Sequence, residues 1–203
     1  MENIHPQIQK AADEIEGWFI RLRLGRKDRR HLIITGPTGA GKTRLATNLK
    51  RVVAASVHGF YPSSAWTHPP IIAESEFSKL AAMEDLAWRD WWKDHVSDIG
   101  GCGLRAEILF LEDVGAEVDR FKTGEPAARL THIFNEFKND WLVVTTNVPV
   151  PDFANRWDSR VADRMFRNSV RIYMDKVPPF TKSKKTIPGY ENPRLNLTGW
   201  RHE

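Results

Sequence analysis

Apolar positions along this chain keep switching between two spacings. Short, nearly continuous apolar runs occur at His31–Thr35 (HLIIT), Ile71–Ala73, Glu107–Asp113 (EILFLED), Trp141–Asn147 (WLVVTTN) and Val170–Met174. Runs of that length, rich in Ile, Val and Leu, predict buried strands. Between them the apolar residues recur at helical spacing. Over 4–24, Ile8, Ala11, Ala12, Ile15, Trp18, Phe19 and Leu22 fall on one side. Further helices are predicted from Arg44 to about Ala55, from Glu76 to about Ser97, over 126–138 and over 157–167. Breakers mark the connections: they crowd 58–70, Gly100, Gly101 and Gly103 end the long helix around Cys102, and prolines and lysines make 178–203 an irregular tail. No internal repeat is present.

Strands alternating with helices build a mostly parallel sheet with helices on both faces. The expected fold is therefore α/β, a three-layer α/β/α core with a five-stranded sheet over residues 31–177. An N-terminal helix and basic linker (1–30) precede it and the tail (178–203) follows. Ligands of such sheets bind at the carboxyl ends of the strands. Three polar segments come directly after strands, so all three are expected on one edge of the sheet.

The first is Gly36-Pro37-Thr38-Gly39-Ala40-Gly41-Lys42-Thr43, which fits G-x-x-x-x-G-K-[ST] between a strand and a helix. Glycines let backbone N–H groups turn inward on a phosphate, and the helix N-terminus adds partial positive charge. Lys42 is expected on the β- and γ-phosphates of ATP and the Thr43 hydroxyl on Mg²⁺. The bland alternative, a glycine turn before a lysine, does not account for the flanking strand and helix. The second segment is Glu112-Asp113. A carboxylate there can hold the metal's water shell, and its neighbour can orient an attacking water, although two adjacent acids also serve as an ordinary helix cap. The third is Asn147, which can hydrogen-bond a γ-phosphate or simply end a strand before the Pro149 turn. Arg160 and Arg164, four apart, share one helix face. They are either surface arginines bridging Asp158 and Asp163 or γ-phosphate contacts from the same or a neighbouring subunit.

Composition narrows the class. The chain has 203 residues, 28% charged and 41% hydrophobic, room for one α/β core. A formal charge of +4 permits an anionic partner without demanding one. The single cysteine, Cys102, excludes an internal disulfide and a thiolate zinc cluster, and the seven histidines are scattered. No stretch approaches the ~20 apolar residues of a membrane span, and the start lacks a secretory apolar region; the expected location is cytoplasmic. Arg21, Arg23, Arg26, Lys27, Arg29 and Arg30 form a basic cluster, read as a solvated helix end or a nucleic-acid contact. Trp88, Trp91 and Trp92 at i, i+3 and i+4 mark a packed face more often than a base-stacking platform.

Taken in order, the loop at 36–43, the run ILFLEDVGAE (108–117), Thr-Thr-Asn at 145–147 and Arg-Val-Ala-Asp-Arg at 160–164 resemble the AAA+ ATPases that load bacterial replicative helicases, the DnaC/DnaI type. The helper ATPases of transposition, the IstB type, are similar. The resemblance covers roughly residues 30–175. It implies the ASCE/AAA+ division of P-loop NTPases, with residues 36–43 as Walker A and Glu112-Asp113 as Walker B, Glu112 on the metal side and Asp113 at the water-activating position. It further implies Asn147 as sensor 1, and Arg160 and Arg164 as an inter-subunit finger and a γ-phosphate sensor, in either order. ATP with Mg²⁺, self-assembly into an ATP-dependent ring or spiral, single-stranded DNA and a replicative DNA helicase follow as cofactors and partners, in a bacterial or phage-encoded protein. The runner-up readings are a transposition helper and a nucleotide-gated helicase-binding switch with little hydrolysis.

Three departures from the family pattern stand out. The first Walker B acid is usually Asp and here is Glu112, which implies intact nucleotide binding with slow hydrolysis. Only about thirty residues precede the core, none of them cysteine, so helicase binding is expected on the N-terminal helix or another surface. The segment after Arg164 is short, which implies a reduced C-terminal lid.

Overall fold

Each apolar run becomes a strand: β1 (His31–Thr35), β2 (Ile72–Glu76), β3 (Ile108–Val114), β4 (Trp141–Thr146) and β5 (Ser169–Tyr173). A computed structural model describes residues 6–56, 70–117, 123–157 and 159–177. The expected tail at 178–203, with any lid, and most of the turn-rich stretch at 58–70 lie outside the described residues. The strands form one sheet in the order β2-β3-β4-β1-β5, every pair parallel. β4 therefore lies between the strand that feeds the glycine loop and the strand that ends in the two acids. The three polar strand ends meet across three adjacent strands.

Side-chain alternation along the strands builds a core on each face. Leu32 and Ile34 of β1, Ile108 and Phe110 of β3 and Val143 of β4 face one helical layer. That layer is α1 (Pro6–Arg23) and α2 (Lys42–Ser56). Ile33, Leu109, Leu111, Leu142 and Val144 face the other. There lie α3 (Phe77–Ala82), α4 (Asp85–Trp92), α5 (Glu125–Glu136) and α7 (Ser159–Arg167). The N-terminal helix α1 buries Ile8, Ile15, Trp18 and Phe19 in the same cluster as α2, so it is part of the core. Gln7 joins it to the chain after β5 by accepting from the Lys176 N–H at 2.9 Å and donating to Asp175 at 3.0 Å.

Three elements differ from their sequence expectation. β2 starts at Ile72 and runs on through Glu74-Ser75-Glu76, because an edge strand needs only backbone pairing with β3 and can carry polar residues outward. The single helix expected over 76–97 is two helices with extended backbone at Met83 (ψ 148°) and Glu84 (ψ 156°), followed by a π-helical turn over Lys93–Ser97. Phe77 and Leu80 on one piece and Trp88, Trp92 and Val96 on the next are all buried in one core cluster. The helix expected over 157–167 is preceded by a separate turn, α6 (Phe153–Arg156), and begins at Ser159. Asp158, between them, is outside the described residues.

Candidate functional site

The glycine loop leaves β1 at Gly36 and enters α2 at Lys42. At Gly36 a Cβ would sit 2.9 Å from the Cβ of Met174, so only glycine lets the loop pass the end of β5. The Gly36 N–H donates to the Thr146 carbonyl of β4 at 3.3 Å. Inside the loop the Lys42 ammonium donates to the carbonyl oxygens of Gly36 and Pro37, both at 2.9 Å, and to Asn147 Oδ1 at 2.5 Å. An ammonium has three donors, and all three are used. Burial pulls the Lys42 pKa below its ordinary value, with the Asp113 charge opposing. A cavity of about 780 Å³ opens over this lysine. Thr38, Thr43, Asp113 and Asn147 line it, together with Arg44 and Arg51 from the outer face of α2.

The two acids at the end of β3 part company. Between Leu111 and Val114 the pairing with β4 shifts register, and Asp113 takes a left-handed backbone (φ 54°). Asp tolerates that conformation better than most residues. The bulge turns Asp113 toward the cavity, while Glu112, opposite Glu76 of β2, does not line it. Burial first, then the charges of Asp113 and Glu74, push the Glu112 carboxyl above the ordinary carboxylate range, with Lys50 opposing. Lys50 itself is paired with Glu74.

Two threonines of β4 hold the bulge and Asn147 in one frame. Thr145 Oγ1 accepts from the Asp113 N–H at 3.1 Å. Thr146 Oγ1 donates to the Val114 carbonyl at 2.6 Å and accepts from the Val148 N–H at 3.0 Å. Thr35 of β1 closes the set by donating to the Val148 carbonyl at 3.0 Å. Gly115 follows the bulge with φ 100°, and a Cβ there would meet Val148 Cγ2 at 2.3 Å. Glycine at 115 is a requirement of this crossing.

The structure thus brings together Gly39, Gly41, Lys42, Thr43, Asp113 and Asn147. Arg160, exposed, and Arg164, half-buried, lie on α7 and do not line the cavity. Sequence reasoning missed the α2 face Arg44, Asn48, Arg51, whose spacing of four and three was readable as one helix face beside the loop. It also missed Glu117, buried and bonded to Trp157 at 3.0 Å. A small notch lined by Ile8, Ala40, Leu45 and Met174 adjoins the loop on the α1 side, sharing Gly41 with the cavity. Trp88 and Trp92 are buried in the core, as the packed-face reading expects, and Trp91 is half-buried against them. Among the described residues no cluster of three or more His, Cys, Asp or Glu is arranged for a metal ion. No described helix is long and apolar enough to cross a membrane.

A parallel sheet in this order, with a glycine loop after β1 and acids after β3, is the AAA+ P-loop fold. The chain has the fold of the DnaC-type AAA+ ATPases. The crystal structure of the DnaC helicase loader matches it with a TM-score of 0.58 at 14% identity, covering 85% of this chain and 93% of that one. DnaI matches with a TM-score of 0.51 at 16% identity, covering 85% of this chain and 87% of that one. The replication initiator DnaA, bound to AMPPCP and single-stranded DNA, matches with a TM-score of 0.58 at 13% identity, covering 84% of this chain and 47% of that one. No family model and no curated protein matches the sequence.

Proposed function

We propose that this chain is an ATP-binding and ATP-hydrolysing AAA+ protein of DNA replication that loads a replicative helicase. The observation that carries the nucleotide half is Lys42, held against Asn147 at 2.5 Å in a cavity that Asp113 and Thr43 also line. The replication half rests on the fold shared with the DnaC helicase loader, DnaI and the DNA-bound DnaA.

Phosphate entry exchanges the acceptors of Lys42: its donors leave the Gly36 and Pro37 carbonyls for phosphate oxygens, and Asn147 is freed to face the γ-phosphate or the attacking water. Arg44 and Arg51 extend the positive wall outward along α2. Thr43 would give Mg²⁺ an oxygen donor of the kind it prefers, alongside the nucleotide's own phosphates and water. The ion would neutralise charge on the phosphates as the bond to the γ-phosphorus breaks. Asp113 is the one carboxylate that lines the cavity among the described residues, and its role is to orient the attacking water and take its proton. Arg160 and Arg164 lie outside this cavity and serve that of a neighbouring subunit, so assembly completes the site. Single-stranded DNA and a helicase ring are the partners of that assembly.

A second reading has one observation in its favour. Glu112, at the position where the family places a metal-side Asp, is turned out of the cavity and crowded by other acids. On that reading the protein binds ATP and changes shape with almost no turnover. ATP turnover by the purified chain, with and without single-stranded DNA and with Lys42→Ala as the blank, separates the two. The loader reading expects turnover above the blank that DNA stimulates. Turnover at the blank's level in both conditions, with ATP still bound, would sink it in favour of the switch.

A further inference from the structure

One buried carboxylate joins the loop after β3 to the segment that enters α7. The Glu117 side chain is 4% exposed. Its Oε2 accepts from the Gly115 N–H at 2.7 Å, and its Oε1 accepts from the Trp157 indole N–H at 3.0 Å. The Arg156 Nε lies 3.8 Å from the same Oε1, and the Arg156 guanidinium donates to the Glu117 carbonyl at 2.7 Å. On one side this reaches Gly115, two positions past Asp113. On the other, the Trp157 ring rests on Phe153 with centroids 4.7 Å apart, and Phe153 meets Phe166 of α7 edge-on at 5.2 Å. An unbroken set of contacts therefore leads from the cavity's carboxylate to the helix of Arg160 and Arg164.

A carboxylate buried this deeply persists only where donors satisfy it. Here the donors come from the two segments it joins, so neither can shift without orphaning it. For stability alone, apolar residues of similar volume would often serve as well as a buried ion pair. What the charged arrangement adds is a fixed relative orientation.

We propose that Glu117 is a positioning residue that locks the entry of α7 to the loop carrying Asp113, keeping the arginine face of α7 in register with the nucleotide cavity. This deepens the arginine roles given above and rests on them.

The test uses the full chain with Glu117→Gln, which sets an amide N–H against one of the two donors, and Trp157→Phe, which keeps a ring but deletes the indole donor. Amide hydrogen exchange, ATP affinity and turnover are measured beside wild type and Arg164→Ala. The expected result is ATP affinity within twofold of wild type in both variants, and exchange across residues 159–167 faster by about tenfold while β1 and α2 keep their protection. Unchanged exchange in α7 overturns the proposal, and so does an equal loss of protection across the whole chain, which would make Glu117 a general stabiliser. Turnover separates this inference from the reading beneath it. If Arg164→Ala loses turnover while Glu117→Gln keeps it, the positioning role falls and the arginine role stands. If Arg164→Ala keeps full turnover, the arginine role fails, and α7 exchange still decides for or against the lock.

Discussion

The loop at 36–43 and the helix at 159–167 both contribute cations to the proposed reaction, and they are built in opposite ways. The loop is finished within one chain. Its lysine is buried and saturated by Gly36, Pro37 and Asn147; Gly36 is tied to β4 through the Thr146 carbonyl, and Asn147 directly follows β4. The helix packs its own apolar side, Val161 and Met165, into the core but keeps Arg160 and Arg164 away from the cavity. The difference is one of completeness within the chain: the loop holds its cation inside the cavity, whereas the two arginines of the helix reach it only if, as proposed, a neighbouring subunit supplies it.

The largest expected effects split along that line. Arg164→Ala should leave ATP affinity within twofold and cut turnover of the assembled protein by roughly a thousandfold, the scale of an arginine finger. Lys42→Ala should act one step earlier, weakening ATP binding itself by about a hundredfold as charge-assisted hydrogen bonds are lost, and turnover should go with it. Isothermal titration for affinity and phosphate release for turnover read both; equal losses of affinity in the two variants would erase the contrast.

A smaller effect tests the frame between the regions. Gly115→Ala should cost about 2 kcal/mol in denaturant unfolding, since the new methyl overlaps Val148 and the positive φ disfavours a side chain. A variant as stable as wild type would mean that the crossing of the β3 loop and the β4 end is looser than its geometry says.

The smallest expected effect concerns the opposite end of β1. His31 is buried, and its Nε2 lies 3.1 Å from the Phe137 carbonyl just past α5. It thereby ties the strand that feeds the loop to α5, which packs against α7. Burial lowers the His31 pKa, so the fold prefers the neutral ring. The stability that this preference gives is present above about pH 6.5, the usual unfolded value, and is lost as pH falls through the folded one. Glu112 and Glu117, both raised by burial, act with the opposite sign and gain stability as pH falls through their folded values. The decisive quantity is therefore the difference in melting midpoint between wild type and His31→Leu. The gap should narrow from about pH 7 to about pH 5; a gap that does not change with pH would show that His31 is not the neutral ring described.

How much of this was legible beforehand follows from how local each feature is. The phosphate loop could be read because its requirements, glycines at set positions between a strand and a helix, sit within eight consecutive residues. The break at Met83-Glu84 could not, since neither residue is a helix breaker and the apolar spacing continues across it. Glu112 and Asp113 were visible as a pair, but adjacency says only that they differ in direction. Which one faces Lys42 was settled by a bulge held by Thr145 and Thr146, residues of another strand. Glu117 closes the run 108–117 without an assigned role, because its indole partner is 40 residues away.

By itself, then, the sequence determined the alternation of strands and helices, the glycine cradle and the collection of polar strand ends on one edge. All of these depend on short-range spacing, on backbone sterics and on the one-sided burial of each element. The tertiary structure decided the strand order that sets β4 between the loop and the acids, the choice of Asp113 over Glu112, the saturation of Lys42 and the lock at Glu117. Those rest on contacts between residues far apart in the chain, and no local pattern carries their energy.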